Sequence, residues 1–354
     1  MRSIYLVSDF GTLAKRGETL VLRQGDAIAH TIFPFQTEAV YILGQVDITS
    51  AALRMLMRHR IETIFIGRNG RFAGKLNFTP GKNVFLRQKQ FRSIEDPEYV
   101  LAMAKAIVKG KIRNQLTIFQ RWQRNHAQAS RNLDAKPLKN LLNSCDKASS
   151  LQSLRGYEGA AAKHYFQIFN LILQPEWAVF KGRSMNPPQD NVNAVLSFLY
   201  TMLLYRVESA ILGAGLDPYI GYLHRMDYGA HALAFDLLEE FRAPLGDTTT
   251  IALFNLRTLS EDSFREETFS PSDDNYPLES EHSEAPPPEK KGVLLTSPAL
   301  REVIAFFERK LDEPVAVGKE GKKIPYRELI PYQVLRFKRF LQGEANEYHP
   351  FRVN

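Results

Sequence analysis

Cysteine is almost absent. Cys145 is the only one, which excludes an intramolecular disulfide and a cysteine-ligated zinc cluster and makes the cytoplasm the expected compartment. No apolar run reaches membrane-span length. The longest, Ala194 to Tyr205, meets Arg206 and Glu208 well before the roughly 20 residues a span needs, so it reads as a buried helix and no membrane partner is expected. Met1 to Asp9 lacks the apolar core and small-residue cleavage site of a signal peptide. Walker A, GxGxxG, GxSxG and HExxH patterns are missing too, which removes the usual support for nucleotide hydrolysis, Rossmann redox chemistry and common hydrolase mechanisms.

What is present is an ordinary globular mixture, 44% hydrophobic and 24% charged, in a chain of 354 residues that is long enough for two cores. The charge is uneven. The formal net charge is +7, yet the stretch from Glu261 to Glu289 holds ten acidic residues and one basic, a local −9 that leaves +16 on the remainder. A field of that sign makes a polyanion the first partner to consider.

The pattern predicts an α+β, two-domain chain. Short β-type runs at 4–7, 19–23, 30–33, 40–43 and 63–66 enclose one helix over 51–60, capped by Ser50, with Leu53, Leu56 and Met57 on its apolar stripe. Pro80 and Gly81 end that texture. Helical spacing follows over 98–122, 159–173, 191–212 and 230–241, then over a segment around Leu300 to Phe307 and over 332–341, with a hairpin turn at Gly318 to Lys322. The predicted organisation is a β-rich domain over 1–79, a hinge over 80–88, a helical domain over 89–260, an acidic proline-rich flexible insert over 261–292 and a C-terminal helical part over 293–354.

Three groups of residues can carry chemistry. Glu158 stands at the predicted start of an alanine-rich helix, where it serves either the helix dipole or, if other ligands converge, a hard cation. His224 follows an apolar stretch and precedes Arg225; it reads as a hydrogen-bonded core histidine or as a ligand. Asp236, Glu239 and Glu240 share one side of a helix whose other side is Leu233, Leu237, Leu238 and Phe241; they form a solvated face or, since like charges at these spacings repel, a site that needs a cation. Lys163, Lys181, Arg183, Arg225 and Arg242 are nearby phosphate-binding candidates, and Lys111 and Arg113 lie on a basic helix interleaved with Phe119 and Trp122.

In this order and spacing, Lys109 to Gln115, Tyr157-Glu158-Gly159, Arg183 with Pro187, Pro188 and Asp190, Asn193 to Tyr205, Gly215 to Arg225, Asp236 to Arg242, Arg327, Gln333 and Pro350-Phe351-Arg352 resemble the CRISPR-associated integrases, metal-dependent endonucleases that insert spacers into CRISPR arrays. The resemblance implies a β-rich dimerisation domain followed by a helical catalytic domain. It implies a site formed by Glu158, His224 and Glu239, with Asp236 and Glu240 as neighbouring acids, holding Mg²⁺ or Mn²⁺. It also implies a homodimer that joins a small ferredoxin-like CRISPR partner protein in a heterohexamer on double-stranded protospacer and repeat DNA. The implied reaction is attack of a DNA 3′-hydroxyl on a repeat phosphodiester. Lys163 and Arg225 are the expected phosphate-stabilising cations. Two competing readings are a structure-selective nuclease of branched DNA without integration, and a non-catalytic nucleic-acid scaffold. A di-iron bundle is disfavoured because paired Glu-x-x-His motifs are missing.

Overall fold

Short apolar runs near the N-terminus build two small sheets, and a helical apolar stripe builds one helix. The computed structural model describes residues 2–67, 72–76, 83–125, 134–185, 187–269, 289–318 and 321–353. Its first strands are β1 (Arg2–Ser8), β2 (Thr12–Arg16), β3 (Thr19–Gln24), β4 (Ala27–Ile32), β5 (Thr37–Gly44), β6 (Asp47–Ile48), β7 (Glu62–Ile66) and β8 (Phe72–Leu76), with helix α1 (Ser50–Arg58) before β7. One sheet has the order β1-β5-β7-β8, parallel through β7 and antiparallel at β8; the other has the order β4-β3-β2-β6. Leu6, Leu13, Leu20 and Ile42 from the strands and Met55 and Leu56 from α1 share one core. The cap of α1 is Thr49 rather than Ser50: its hydroxyl accepts the Ala52 N–H at 3.2 Å.

The remaining helices are α2 (Val84–Ser93), α3 (Pro97–Asn125), α4 (Lys136–Ser144), α5 (Leu151–Ile172), α6 (Asn191–Gly213), α7 (Ala232–Phe241), α8 (Thr248–Asn255), α9 (Ser297–Asp312) and α10 (Tyr326–Gln342). Asn83 caps α2 within the predicted hinge, whose residues 80–82 lie outside the described set. By contacts the chain forms two units. The first is Met1–Pro80, Ser184–Thr201 and Glu261–Glu302; the second is Gly81–Arg183, Met202–Ser260 and Val303–Asn354. Helix α6, apolar and long enough to span a membrane, is mostly buried in the protein, as the sequence reading expects of it.

The second half of the chain is not purely helical. β9 (Phe264–Phe269) and β10 (Lys290–Leu295) pair antiparallel, and so do β11 (Pro314–Val317) and β12 (Lys322–Pro325), the hairpin expected at Gly318 to Lys322. The strands β9 and β10 occupy the two ends of the segment read as a flexible insert, where Phe269 and Leu294 pack together; residues 270–288, which hold its prolines, lie outside the described set.

Helix α3 packs against α4, α5 and α7, and so brings the helices that carry Glu158 and Glu239 to one basic helix. Its Gly110 is required by close approach: a Cβ there would stand 2.6 Å from Pro350 Cβ. Asn114, one turn on, donates to the carbonyls of Glu240 and Phe351 at 2.8 and 3.0 Å and accepts the Val353 N–H at 3.0 Å. The closing residues of the chain are thereby tied to the helix that carries Lys111.

Candidate functional site

Helix α5 begins at Leu151, behind a reciprocal capping box between Ser150 and Ser153. Glu158 therefore sits about two turns inside the helix, and its reading as an N-terminal dipole partner does not hold. Its carboxylate pairs with the Lys111 ammonium of α3, which also stands 2.9 Å from Glu239 Oε2 of α7. Arg242 donates to Glu239 Oε1 at 2.7 Å, and His224 Nε2 lies 3.9 Å from the same oxygen. Glu158 and Glu239, 81 positions apart in the chain, thus share Lys111, and His224 approaches Glu239 from the other side.

The acids of α7 are not a solvated face. Asp236, Glu239 and Glu240 are 1%, 2% and 3% exposed, and each has a different occupation. Asp236 accepts the backbone N–H groups of Tyr222, Leu223 and His224 and, at 2.7 Å, lies against His224 Nδ1. As a carboxylate it has only acceptors to offer, so a ring proton belongs on Nδ1, which leaves Nε2 on the side of Glu239. Burial raises the Glu239 pKa, but the charges of Arg242, Lys111 and His224 override it and bring it down to about 2. Burial likewise lowers the Lys111 pKa, and the charges of Glu239 and Glu158 more than offset this, so the ammonium stays above its ordinary value.

Glu240 belongs to another network. It accepts from Tyr348 Oη at 2.7 Å, from Gln333 Nε2 at 2.8 Å and from the Phe351 N–H. Burial pushes its pKa up to about 7, and these hydrogen bonds with the more distant Arg336 offset only part of that rise.

The loop carrying His224 is fastened along its length. Gln90 of α2 donates to the carbonyls of Asp217 and Ile220 at 2.8 and 3.2 Å and accepts the Asp217 N–H at 2.9 Å. A Cβ on Gly221 would stand 2.7 Å from the Ala232 backbone, so glycine lets the loop lie against the start of α7. Arg155 of α5 donates through Nε, at 3.0 Å, and Nη2 to the Leu223 carbonyl.

Among the sequence candidates, Lys111 and Arg242 join the cluster. Arg113 does not: two residues along α3, it is buried in part, and Arg352 and Asp146 are the charges nearest it. Lys163 and Arg225 are exposed, and no hydrogen bond or ion pair among the described residues links either to the three ligand candidates. Arg183 is half-buried in the connection from α5 to α6. Arg155 and Gln90 were not legible as site residues; the one signal for Arg155 is its spacing of three before Glu158, which puts both on one helix face.

Among the described residues no group of three or more His, Cys, Asp and Glu side chains is drawn close enough to hold an ion as it stands. The donor set nonetheless fits a hard divalent cation. It offers two carboxylates and an imidazole nitrogen whose opposite nitrogen is fixed by Asp236, the arrangement that orients a histidine ligand.

Comparison with known proteins places the chain in a family. The family model described as CRISPR associated protein Cas1 matches residues 4–270. A CRISPR-associated endonuclease Cas1 of Thermus thermophilus is 33% identical, with 99% of this chain and 97% of that protein covered. A solved Cas1 protein from Thermotoga maritima has the same fold, with a TM-score of 0.77 at 24% identity and complete coverage of both chains. A chain of a solved Cas6-RT-Cas1–Cas2 complex superposes with a TM-score of 0.80 at 25% identity, covering 99% of this chain and 36% of that one. The chain described here belongs to the Cas1 family of CRISPR-associated proteins.

Proposed function

We propose that this chain is a divalent-metal-dependent DNA endonuclease and integrase of spacer acquisition, joining protospacer DNA to a CRISPR repeat through attack of a DNA 3′-hydroxyl on a repeat phosphodiester. The observation that carries the reading is the convergence of His224 Nε2 and Lys111 on Glu239, with Glu158 on the other side of Lys111. Glu158, His224 and Glu239 would hold Mg²⁺ or Mn²⁺. A hard divalent cation supplies Lewis acidity, which activates an attacking hydroxyl and offsets charge growing on a scissile phosphate.

The chain's own residues do the rest. Asp236 holds the proton on His224 Nδ1 and keeps Nε2 available as a ligand. Lys111 and Arg242, already paired with the ligand carboxylates, are the cations placed to meet a phosphate oxygen entering the site. Lys163 and Arg225, exposed beyond them, serve the DNA backbone, whose recognition is mainly electrostatic. With water as the nucleophile the same site cuts; with a strand end it joins.

The Cas6-RT-Cas1–Cas2 complex supports a Cas2 partner for this chain too, and the proposal takes that partner to be small and ferredoxin-like. A homodimer through the β-rich domain, a heterohexamer with that partner and a cytoplasmic setting complete the proposal. It is tested by incubating the protein and partner with a duplex bearing 3′-hydroxyl ends, Mn²⁺ and a supercoiled plasmid carrying a repeat. Covalently joined products are expected from the wild type and not from Glu158→Ala, His224→Ala or Glu239→Ala. Nicking without joining would instead favour the branched-DNA nuclease.

A further inference from the structure

The backbone of Leu223, immediately before His224, is held from both sides. Its N–H is accepted by Asp236 Oδ2 at 3.1 Å, and its carbonyl takes two donors from Arg155, Nε at 3.0 Å and Nη2. The two holding residues come from different helices, and each precedes that helix's own candidate ligand by three positions: Asp236 before Glu239 on α7, Arg155 before Glu158 on α5. One turn of each helix therefore carries both a carboxylate for the site and a grip on the loop that supplies the imidazole.

We propose that Arg155 is a positioning residue: it locks the His224 loop to α5 and so sets the spacing between His224 and Glu158 for the metal. The proposal rests on the reading of Glu158, His224 and Glu239 as ligands of one ion. Asp236 alone cannot set that spacing, because it relates His224 only to α7. Gln90 and Gly221 hold earlier parts of the loop, up to three residues before His224. The Arg155 fork is a charge-assisted contact of two nitrogens on a single carbonyl oxygen, and neither a neutral side chain nor one with a single nitrogen reproduces it.

The test is calorimetric titration of the full chain with Mn²⁺, alongside thermal unfolding, for the wild type, Arg155→Met, Arg155→Lys and Glu158→Ala. Removing an outer residue that orients a metal ligand lowers affinity by about 10- to 100-fold. Arg155→Met is expected to bind Mn²⁺ at least about tenfold more weakly, with Arg155→Lys in between and Glu158→Ala showing no binding. Millimolar guanidinium is expected to restore affinity to Arg155→Ala where an equal concentration of sodium chloride does not, a rescue that general destabilisation would not give. Wild-type affinity in Arg155→Met, with binding lost in Glu158→Ala, overturns this proposal alone. If Arg155→Met does not fold, wild-type affinity in Arg155→Lys overturns it, and weakened affinity supports it. Absence of Mn²⁺ binding by the wild type overturns the metal reading and this proposal together.

Discussion

Glu239 and Glu240 are consecutive and both fully buried, yet their carboxyl groups are pushed in opposite directions, one down to about 2 and the other up to about 7. Burial acts alike on both; the difference is the company. Glu239 faces Arg242, Lys111 and His224, whereas Glu240 faces the Phe351 amide, the Tyr348 hydroxyl and the Gln333 amide. Dipoles and the more distant Arg336 do not support a buried charge as adjacent cations do.

Glu240 gives the fold a measurable pH dependence. Its folded pKa of about 7 stands above the ordinary 4.5, so the native state holds a proton that the unfolded chain releases. Its contribution is therefore fully present below about pH 4.5 and is lost as pH rises toward 7, by about 3 kcal/mol in total. Glu240→Gln keeps an oxygen for Gln333 and Phe351 and offers an N–H to the Tyr348 oxygen. Chemical unfolding of the metal-free protein across this window is expected to show a shallower decline in the variant; identical pH profiles would contradict the assignment.

Asp236 leaves no room for an amide. Both of its oxygens accept N–H groups, Oδ1 from His224 twice over and Oδ2 from Tyr222 and Leu223. In Asp236→Asn the new NH₂ must face donors whichever way it turns. A loss of about 2 kcal/mol or more is expected in denaturant titration. Mn²⁺ affinity is expected to fall about tenfold or further.

Lys111 neutralises two carboxylates, one of them fully enclosed. Replacing it by methionine leaves Glu239 with Arg242 and His224 only, an imbalance expected to destabilise the chain by about 3 kcal/mol without metal. Added Mn²⁺ is expected to raise the melting temperature more in Lys111→Met than in the wild type, because the ion and the ammonium serve the same oxygens. An equal rise in both proteins would argue against a shared position.

Gly221 tests the loop. With a Cβ 2.7 Å from the Ala232 backbone, Gly221→Ala must move either the His224 loop or the start of α7. A loss of about 1 to 3 kcal/mol is expected, together with weaker Mn²⁺ binding. Unchanged melting and binding would show that the loop tolerates displacement.

The β-rich domain was legible because its strands are short apolar runs bounded by turn residues, and β1, β5 and β7 lie where the runs at 4–7, 40–43 and 63–66 place them. The start of α5 was misplaced by eight residues, since Gly156 and Gly159 look like breakers; both sit on helix surface with open space around them, and the Ser150 capping box carries the helix through. Averaging charge over 261–292 concealed β9 and β10, which pair from Phe264 with Leu295 to Phe269 with Lys290. The acids of α7 were ambiguous by spacing because their partners come from elsewhere: Lys111 from α3, Tyr348 and Phe351 from the end of the chain. Local periodicity contains none of that information, and only the family resemblance singled out Glu239.

The central claim is that Glu158, His224 and Glu239 hold one divalent ion between them. Calorimetric titration with Mn²⁺ measures it most directly: the wild type is expected to bind a single ion per chain, and each of the three alanine variants to lose it while remaining folded. Wild-type affinity retained in all three variants would contradict the account.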